Sequence, residues 1–394
     1  MTAAAFRFDY TPPTIVLGRG RISRLGSELA ADGYGRALIV CGQTVGKTSA
    51  VIDPVVAGLE DRHVATFAET TPQKRLETAL RGLDIIRERD IDVLVAVGGG
   101  SSLDIAKQLA ALSGRDRPTE ARPELIETGT FGVPADGLVP IVVVPTTLAG
   151  ADLSIGAGVN ATLDDGSLAT GGISDPRLMP SLAIYDPTLV TTTPASILCG
   201  SAMNGFNKGI ETIYARTASP ITDATATEGL GHLSRSLPEL AADPDLDTIA
   251  DILTGIVCVQ YGIARADTGT LSIIHAFGHG LSRTYPVQQG VAHAIVTPHI
   301  LELVFEHVDA RRERLATALG VGDRESPADA IVERVTSIRD SLRLPSGLRA
   351  VDGPAPDDFP SIARRVAASS LLENAPPGFE PTVEDLEGVL RAAY

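Results

Sequence analysis

Cysteine and lysine are scarce in this 394-residue chain, and long apolar runs are missing. Its three cysteines, Cys41, Cys199 and Cys258, form no CxxC pair and are odd in number. That argues against a disulfide framework or a thiolate zinc site and fits a reducing cytoplasm. No stretch of about 18 apolar residues is available to span a bilayer. Met1 to Gly20 lacks the charged-then-apolar pattern of a secretory signal. The expectation is a cytoplasmic protein, neither secreted nor membrane-inserted. Positive charge is also short: 33 basic residues face 49 acidic ones, for a net charge of −16. A nucleic-acid partner would meet net repulsion. Only Lys47, Lys74, Lys107 and Lys208 are lysines, so almost all the basic residues are arginine.

The content that remains, 44% hydrophobic and 21% charged, is that of a globular protein long enough for two large domains. The first half alternates β-rich runs (37–41, 63–68, 91–97) with helical stretches (49–59, 74–89, 102–112), which predicts βαβ units around a parallel sheet. A buried strand, 140–144, leads into Pro145-Thr146-Thr147. The run 156–162 followed by Asp164-Asp165-Gly166 reads as a hairpin. The segment 115–137, with three prolines, reads as a polar surface excursion. From about Pro194 the period becomes helical, over 195–215, 222–236, 246–266 and 271–281. The expected division is therefore an α/β domain over 1–188 and an all-α domain over 189–394.

In Val95-Ala96-Val97-Gly98-Gly99-Gly100-Ser101-Ser102-Leu103-Asp104-Ile105-Ala106-Lys107 an apolar strand breaks into three glycines and opens a helix. Glycines let a backbone approach a ligand closely, and the N–H groups of a first helical turn complement a pyrophosphate. The bland alternative is a tight strand-to-helix turn without a ligand.

The full string Gly98-Gly99-Gly100-Ser101-x-x-Asp104-x-Ala106-Lys107 resembles the nucleotide-binding motif of the iron-containing alcohol dehydrogenase-like superfamily, which includes dehydroquinate synthase and maleylacetate reductase. Pro145-Thr146-Thr147-Leu148-Ala149-Gly150-Ala151-Asp152 looks like that family's threonine-rich cofactor loop, in the form nearest maleylacetate reductases. Tyr185-Asp186-Pro187 and His275-x-x-x-His279 follow in the expected order. The resemblance covers nearly the whole chain. It implies a dehydroquinate synthase-like fold, with an NAD- or NADP-binding α/β half, a helical half and hydride transfer in the cleft between them. Gly98, Gly99, Gly100 and Ser101 would cradle the pyrophosphate, Asp104 would lie near the nicotinamide, and Thr146 and Thr147 would line the cofactor. Many relatives carry an Asp where this chain has Gly42, so the choice between NAD and NADP stays open. A homodimer through the amino-terminal strand 14–17 is implied by the same analogy.

In metal-dependent relatives one helix carries an Asp and, four residues on, a His. Here those positions are Asn204 and Lys208; a third ligand aligns with His275, and the fourth, a His before Gly, aligns with Gln289. A protonated ammonium does not coordinate a cation and neutral amides are weak donors, so no tightly bound iron or zinc is expected. Lys208 would stand in for the metal, stabilising charge on a substrate oxygen and donating a proton. The competing reading pairs Lys208 with Glu211 or another carboxylate on a solvated face. His275 and His279 share one helical face; with His293, they are candidate proton donors or relays. Arg283 and Tyr285, in the turn after them, are candidates for binding a substrate carboxylate, against a plain surface role.

These signals point to a metal-independent NAD(P)H-dependent reductase or dehydrogenase of a small carbonyl compound or oxo acid, similar to maleylacetate reductase. The alternatives are a metal-dependent alcohol dehydrogenase with other ligands, a cyclase like dehydroquinate synthase, and a cofactor-binding protein that has lost catalysis.

Overall fold

The structure is a computed structural model that describes residues 6–266 and 268–394. The chain forms two compact units. One comprises 10–147 and 151–193; the other comprises the described residues from 194 onward together with 6–9 and the short piece 148–150.

The first unit is built on strands β1 (Thr14–Leu17), β2 (Ala37–Gly42), β3 (His63–Thr70), β4 (Val93–Gly98), β5 (Ile141–Pro145), β6 (Gly156–Thr162), β7 (Leu168–Ser174) and β8 (Leu182–Tyr185). Its helices are α1 (Leu25–Ala31), α2 (Gln43–Lys47), α3 (Ser49–Leu59), α4 (Leu76–Glu88), α5 (Gly100–Ser113), α6 (Ala121–Thr128) and α7 (Pro187–Val190). Six strands form one sheet in the order β1-β8-β5-β4-β2-β3, every pair parallel. A parallel sheet covered on both faces needs apolar residues at consecutive positions rather than alternate ones. Accordingly β4, β5 and β8 are buried throughout. One face packs Ile39, Val95, Val142 and Ile184 against Leu25, Leu29, Val51, Val55 and Leu59. Each such side chain contributes about 1.5–3 kcal/mol of burial. The expected hairpin is the antiparallel pair β6–β7.

Three of the differences from expectation have a local physical cause. Helix α4 starts at Leu76 because Lys74 takes a left-handed backbone with φ of 49°. The polar excursion contains α6, which the sequence pattern hides because only Ala121 and Leu125 are buried on it. The helix expected over 246–266 ends at Gln260, since Gly262 at φ 77° turns the chain beneath the Phe8 ring.

The second unit is helical. Among the described residues it holds α8 (Ala195–Tyr214), α9 (Pro220–Ser236), α10 (Leu246–Gln260), α11 (Ile273–Ser282), α12 (Gln289–His307), α13 (Arg312–Ala318), α14 (Pro327–Ser341), α15 (Phe359–Ala367) and α16 (Val383–Ala392). Helix α8 is central, and its neighbours touch it where side chains are absent. A Cβ on Gly290 of α12 would lie 1.7 Å from the Gly200 carbonyl oxygen, and a Cβ on Gly205 would lie 2.2 Å from Ile256 Cδ1 of α10. A Cβ on Gly209 would meet Leu230 of α9 and Val259 of α10 at 2.8 Å. No described helix is long and apolar enough to cross a membrane.

Candidate active site

The glycine string lies where β4 ends and α5 begins. Gly98 has φ of 128°, which side chains with a Cβ rarely adopt, and Gly99 caps α5 without any side-chain hydrogen bond. The first turn of α5 therefore has no side-chain cap at Gly99, and Ser102 N–H donates back to the Gly99 carbonyl at 3.0 Å. A Cβ on Gly99 would stand 3.1 Å from Thr147 Cγ2, so Thr147 closes over the turn. Thr146 N–H donates to the Gly98 carbonyl at 3.1 Å, and Thr193 Oγ1 donates to the Thr146 carbonyl at 2.8 Å. Gly42 ends β2, the strand beside β4, and is joined to the same region through Thr70, whose Oγ1 lies 3.0 Å from Ser102 Oγ. The structure thus brings Gly42, Gly98 to Ser101, Thr146 and Thr147 to the carboxyl ends of neighbouring parallel strands, the place where open α/β sheets bind ligands.

Asp104, one turn into α5, is buried and salt-bridged to Lys74 Nζ at 2.5 Å. Sequence reasoning assigned nothing to Lys74. Its left-handed backbone is pinned by hydrogen bonds to its carbonyl from Asn160 N–H (3.2 Å) and Gln108 Nε2 (3.1 Å). Lysine scarcity was the available signal. Lys107 is fully buried and donates to the carbonyls of Ser154 (2.5 Å) and Gly156 (3.1 Å), which fixes the loop into β6. Tyr185 hydroxyl donates to Asp152 in the same interior; burial, then the Asp152 charge, pushes the phenol well above its usual range.

In the helical unit α8 supplies Asn204, Lys208 and Glu211, α11 supplies His275 and His279, and α12 supplies Gln289 and His293. Lys208 is buried and its Nζ donates to the Gly150 carbonyl. The solvated-face reading of Lys208 is thereby overturned. Glu211 is fully buried, and sequence reasoning gave it no role beyond a possible partner for Lys208. Its Oε1 accepts the His275 backbone N–H at 3.1 Å, and its Oε2 lies 2.5 Å from His275 Nδ1. The carboxylate also takes backbone N–H groups of Ser272 and Ile274, so it occupies the amino-terminal end of α11. His275 Nε2 is 3.1 Å from Asn204 Oδ1. The His293 ring meets His275 edge-on at 4.5 Å between centroids. Gln289 joins this group: a Cβ on Gly278 would lie 2.1 Å from His293 Nε2 and 3.1 Å from Gln289 Cγ.

Burial dominates the electrostatics here. It lifts the Glu211 carboxyl to about 8, against the amides it accepts and the Lys208 charge. It holds His275 and His293 well below the usual imidazole range, and Lys208 pushes both in the same direction. His279 is half-buried, and its charge also acts on His293. Arg283 and Tyr285 stand apart from this group. They follow the last turn of α11, about 12 Å along the helix from His275 at 1.5 Å per residue. Arg283 is exposed, with its backbone N–H on the His279 carbonyl at 3.3 Å, and Tyr285 pairs with Asp358, so neither side chain is brought to His275.

Comparison with known proteins places the chain in a family. Residues 12–187 match the iron-containing alcohol dehydrogenase family, and residues 199–394 match the carboxy-terminal region of the Fe-containing alcohol dehydrogenases. The chain belongs to the iron-containing alcohol dehydrogenase family. It is 28% identical to maleylacetate reductase of Sphingobium indicum over 98% of this chain and 96% of that one. It is 26% identical to the NAD-dependent methanol dehydrogenase of Bacillus methanolicus over 98% and 99%. The crystal structure of maleylacetate reductase from Agrobacterium tumefaciens shares the fold, with a TM-score of 0.79 at 22% identity over 99% and 98% of the chains. The protein is an oxidoreductase of this family.

The family name implies iron, and the residues present do not fit it. The donors at the four positions are two neutral amides, one imidazole engaged through both nitrogens, and an ammonium bonded to a carbonyl. Among the described residues no group of three or more His, Cys, Asp or Glu is placed to hold a metal ion.

Proposed function

We propose that this chain is a metal-independent NAD(P)H-dependent reductase of a small carbonyl compound or oxo acid, resembling maleylacetate reductase in its chemistry. The observation that carries the reading is Lys208, a buried ammonium on the α8 face shared with Asn204 and Glu211. In this reading the α/β unit holds the dinucleotide, with the pyrophosphate on the Gly99–Ser101 turn and Thr146 and Thr147 beside it. When bound, the cofactor supplies a hydride to the carbonyl carbon.

The helical unit supplies the charge and the proton. As negative charge grows on the carbonyl oxygen, Lys208 Nζ stabilises it and transfers a proton, yielding the alcohol. A preorganised ammonium in a water-poor site is worth far more than one in solvent. Glu211 fixes the His275 ring through Nδ1, Nε2 holds Asn204 Oδ1, and the Asn204 amide N–H groups are left to orient the substrate. His279, His293 and Gln289 complete the group as relay and positioning residues. The protein acts in the cytoplasm as a homodimer in this proposal, with edge strand β1 as the joining element.

Elemental analysis of purified protein, combined with NADH and NADPH oxidation on maleylacetate and a panel of aldehydes and oxo acids with and without chelator, tests the reading. Turnover that persists in metal-free, chelated protein supports it. Stoichiometric metal with chelator-sensitive turnover would restore the metal-dependent alcohol dehydrogenase, and cofactor binding without turnover would favour a protein that has lost catalysis.

A further inference from the structure

The α/β unit contains a cavity of about 490 Å³ beyond the carboxyl ends of β2 and β3, lined by Gln43, Glu69, Thr71, Arg75, Glu77 and Arg81 among others. Its position relative to the glycine turn is fixed by the sheet. β2 lies between β4 and β3, so a dinucleotide with its pyrophosphate on the β4–α5 turn would extend its adenosine ribose across the end of β2 towards this cavity.

The charges in the cavity wall are unequally committed. At the end of β2 stands Gly42, which offers no side-chain acceptor to a ribose 2′-hydroxyl. Glu69 is salt-bridged to Arg81 at 2.8 Å, and Glu77 Oε1 accepts the Thr162 backbone N–H at 2.9 Å while its Oε2 is buried without a hydrogen bond. Arg81 is spent on Glu69 and on the Glu77 carbonyl. Arg75 is exposed at the cavity rim, and among the described residues its guanidinium has no protein hydrogen-bond or ion-pair partner, although its backbone is fixed. Its carbonyl accepts the Thr78 and Ala79 N–H groups, and it caps the 13-residue α4. The amino end of a helix carries partial positive charge, which disfavours a cation there and favours an anion. An unpaired arginine at that end, in a chain of net charge −16, suits an anionic ligand that satisfies both.

We infer that the cavity selects NADPH over NADH, with Arg75 taking the 2′-phosphate through charge-assisted hydrogen bonds and Gln43 donating a further one. This rests on the dinucleotide-dependent reading above and adds the residue that sets cofactor choice. Hydride transfer itself is unaffected by it.

The test is direct binding of NADPH, NADH, 2′,5′-ADP and 5′-AMP to the full chain by calorimetry, which needs no substrate. The wild type should bind NADPH about tenfold or more tightly than NADH, and 2′,5′-ADP more tightly than 5′-AMP by a similar factor. Arg75→Ala should bring each pair to within about threefold while leaving NADH affinity in place. Gly42→Asp should invert the preference; the site has ordinary φ, and the new Cβ would lie 3.4 Å from the Thr70 carbonyl oxygen. Equal affinities in the wild type, tighter NADH, or a preference that survives Arg75→Ala would each overturn the inference. Binding without preference defeats only this inference, whereas no binding of either dinucleotide defeats the proposed function as well.

Discussion

Replacing Lys208 with methionine isolates the charge while keeping the length and apolar stem of the side chain. Two effects are separable. The first is structural: the Gly150 carbonyl loses its donor inside the helical unit, and an unsatisfied buried acceptor costs about 1–3 kcal/mol. Urea titrations should register that loss directly. The second is chemical. A unit positive charge about 4 Å from a developing oxyanion contributes about 4 kcal/mol at an effective dielectric of 20. Removing one oxyanion donor from a preorganised site lowers kcat by about 10²–10³. Lys208→Met should therefore cut kcat for carbonyl reduction by that factor, with NADPH affinity within twofold of wild type, because the cradle belongs to the other unit. Lys208→Arg keeps the charge and should retain more activity than Lys208→Met. The assay is cofactor oxidation at 340 nm in chelator-treated protein, with the dinucleotide dissociation constant measured in parallel. A Lys208→Met enzyme whose kcat stays within a factor of about two of wild type would refute the oxyanion role outright.

Three other outcomes are expected. The triple variant Asn204→Asp, Lys208→His, Gln289→His places one carboxylate and three imidazoles at the four family positions, and dialysed protein should then retain about one equivalent of Zn²⁺ by elemental analysis. Retention no greater than in the parent would show that the backbone no longer presents those positions to one ion. Gly99→Ala places a methyl 3.1 Å from Thr147 Cγ2 without backbone strain, since Gly99 sits at φ −92°. It should weaken dinucleotide binding at least about tenfold while changing stability by less than about 1 kcal/mol, and calorimetry with urea melts checks both. Stability should peak near pH 6.5. Glu211 is raised from 4.5 to about 8, so its contribution is full below the unfolded value and fades as pH rises towards 8. His275 and His293 are lowered, so theirs is present above about 6.5 and fades as pH falls. Glu211→Gln should remove most of the decline between pH 6.5 and 8; parallel urea stability curves for the two proteins would contradict the assignment.

The sheet was legible because its strands are short, continuous apolar runs, which a doubly covered parallel sheet requires. Asn204, Lys208 and His275 were legible through spacing and family resemblance, since positions four apart share a helical face. Glu211 was not. Its carboxylate matters because α11 begins at Ile273 and aims its first amides at it, a fact of tertiary placement that no local pattern carries. Lys74 was hidden for a related reason: it read as the first residue of a helix, whereas the hairpin strand β6 holds it in a left-handed turn before that helix starts. Arg283 and Tyr285 follow His279 at the carboxyl end of α11, but His275 lies two turns back along the helix, and the turn after α11 leaves Arg283 exposed and carries Tyr285 to Asp358.

The glycines of α8 bear on how such a site changes over time. Gly200, Gly205 and Gly209 are pressed from three helices, α12 at the first, α10 at the second, and α9 with α10 at the third, which leaves the rail they form little room to shift. Asn204 and Lys208 ride on that rail in the gaps between the glycines, and Glu211 just beyond the last of them. A side chain exchanged there alters what the site can hold without shifting where it stands. The helical unit can thus trade one chemistry for another by single replacements, and the tolerance for novelty at those positions is underwritten by intolerance at the glycines beside them.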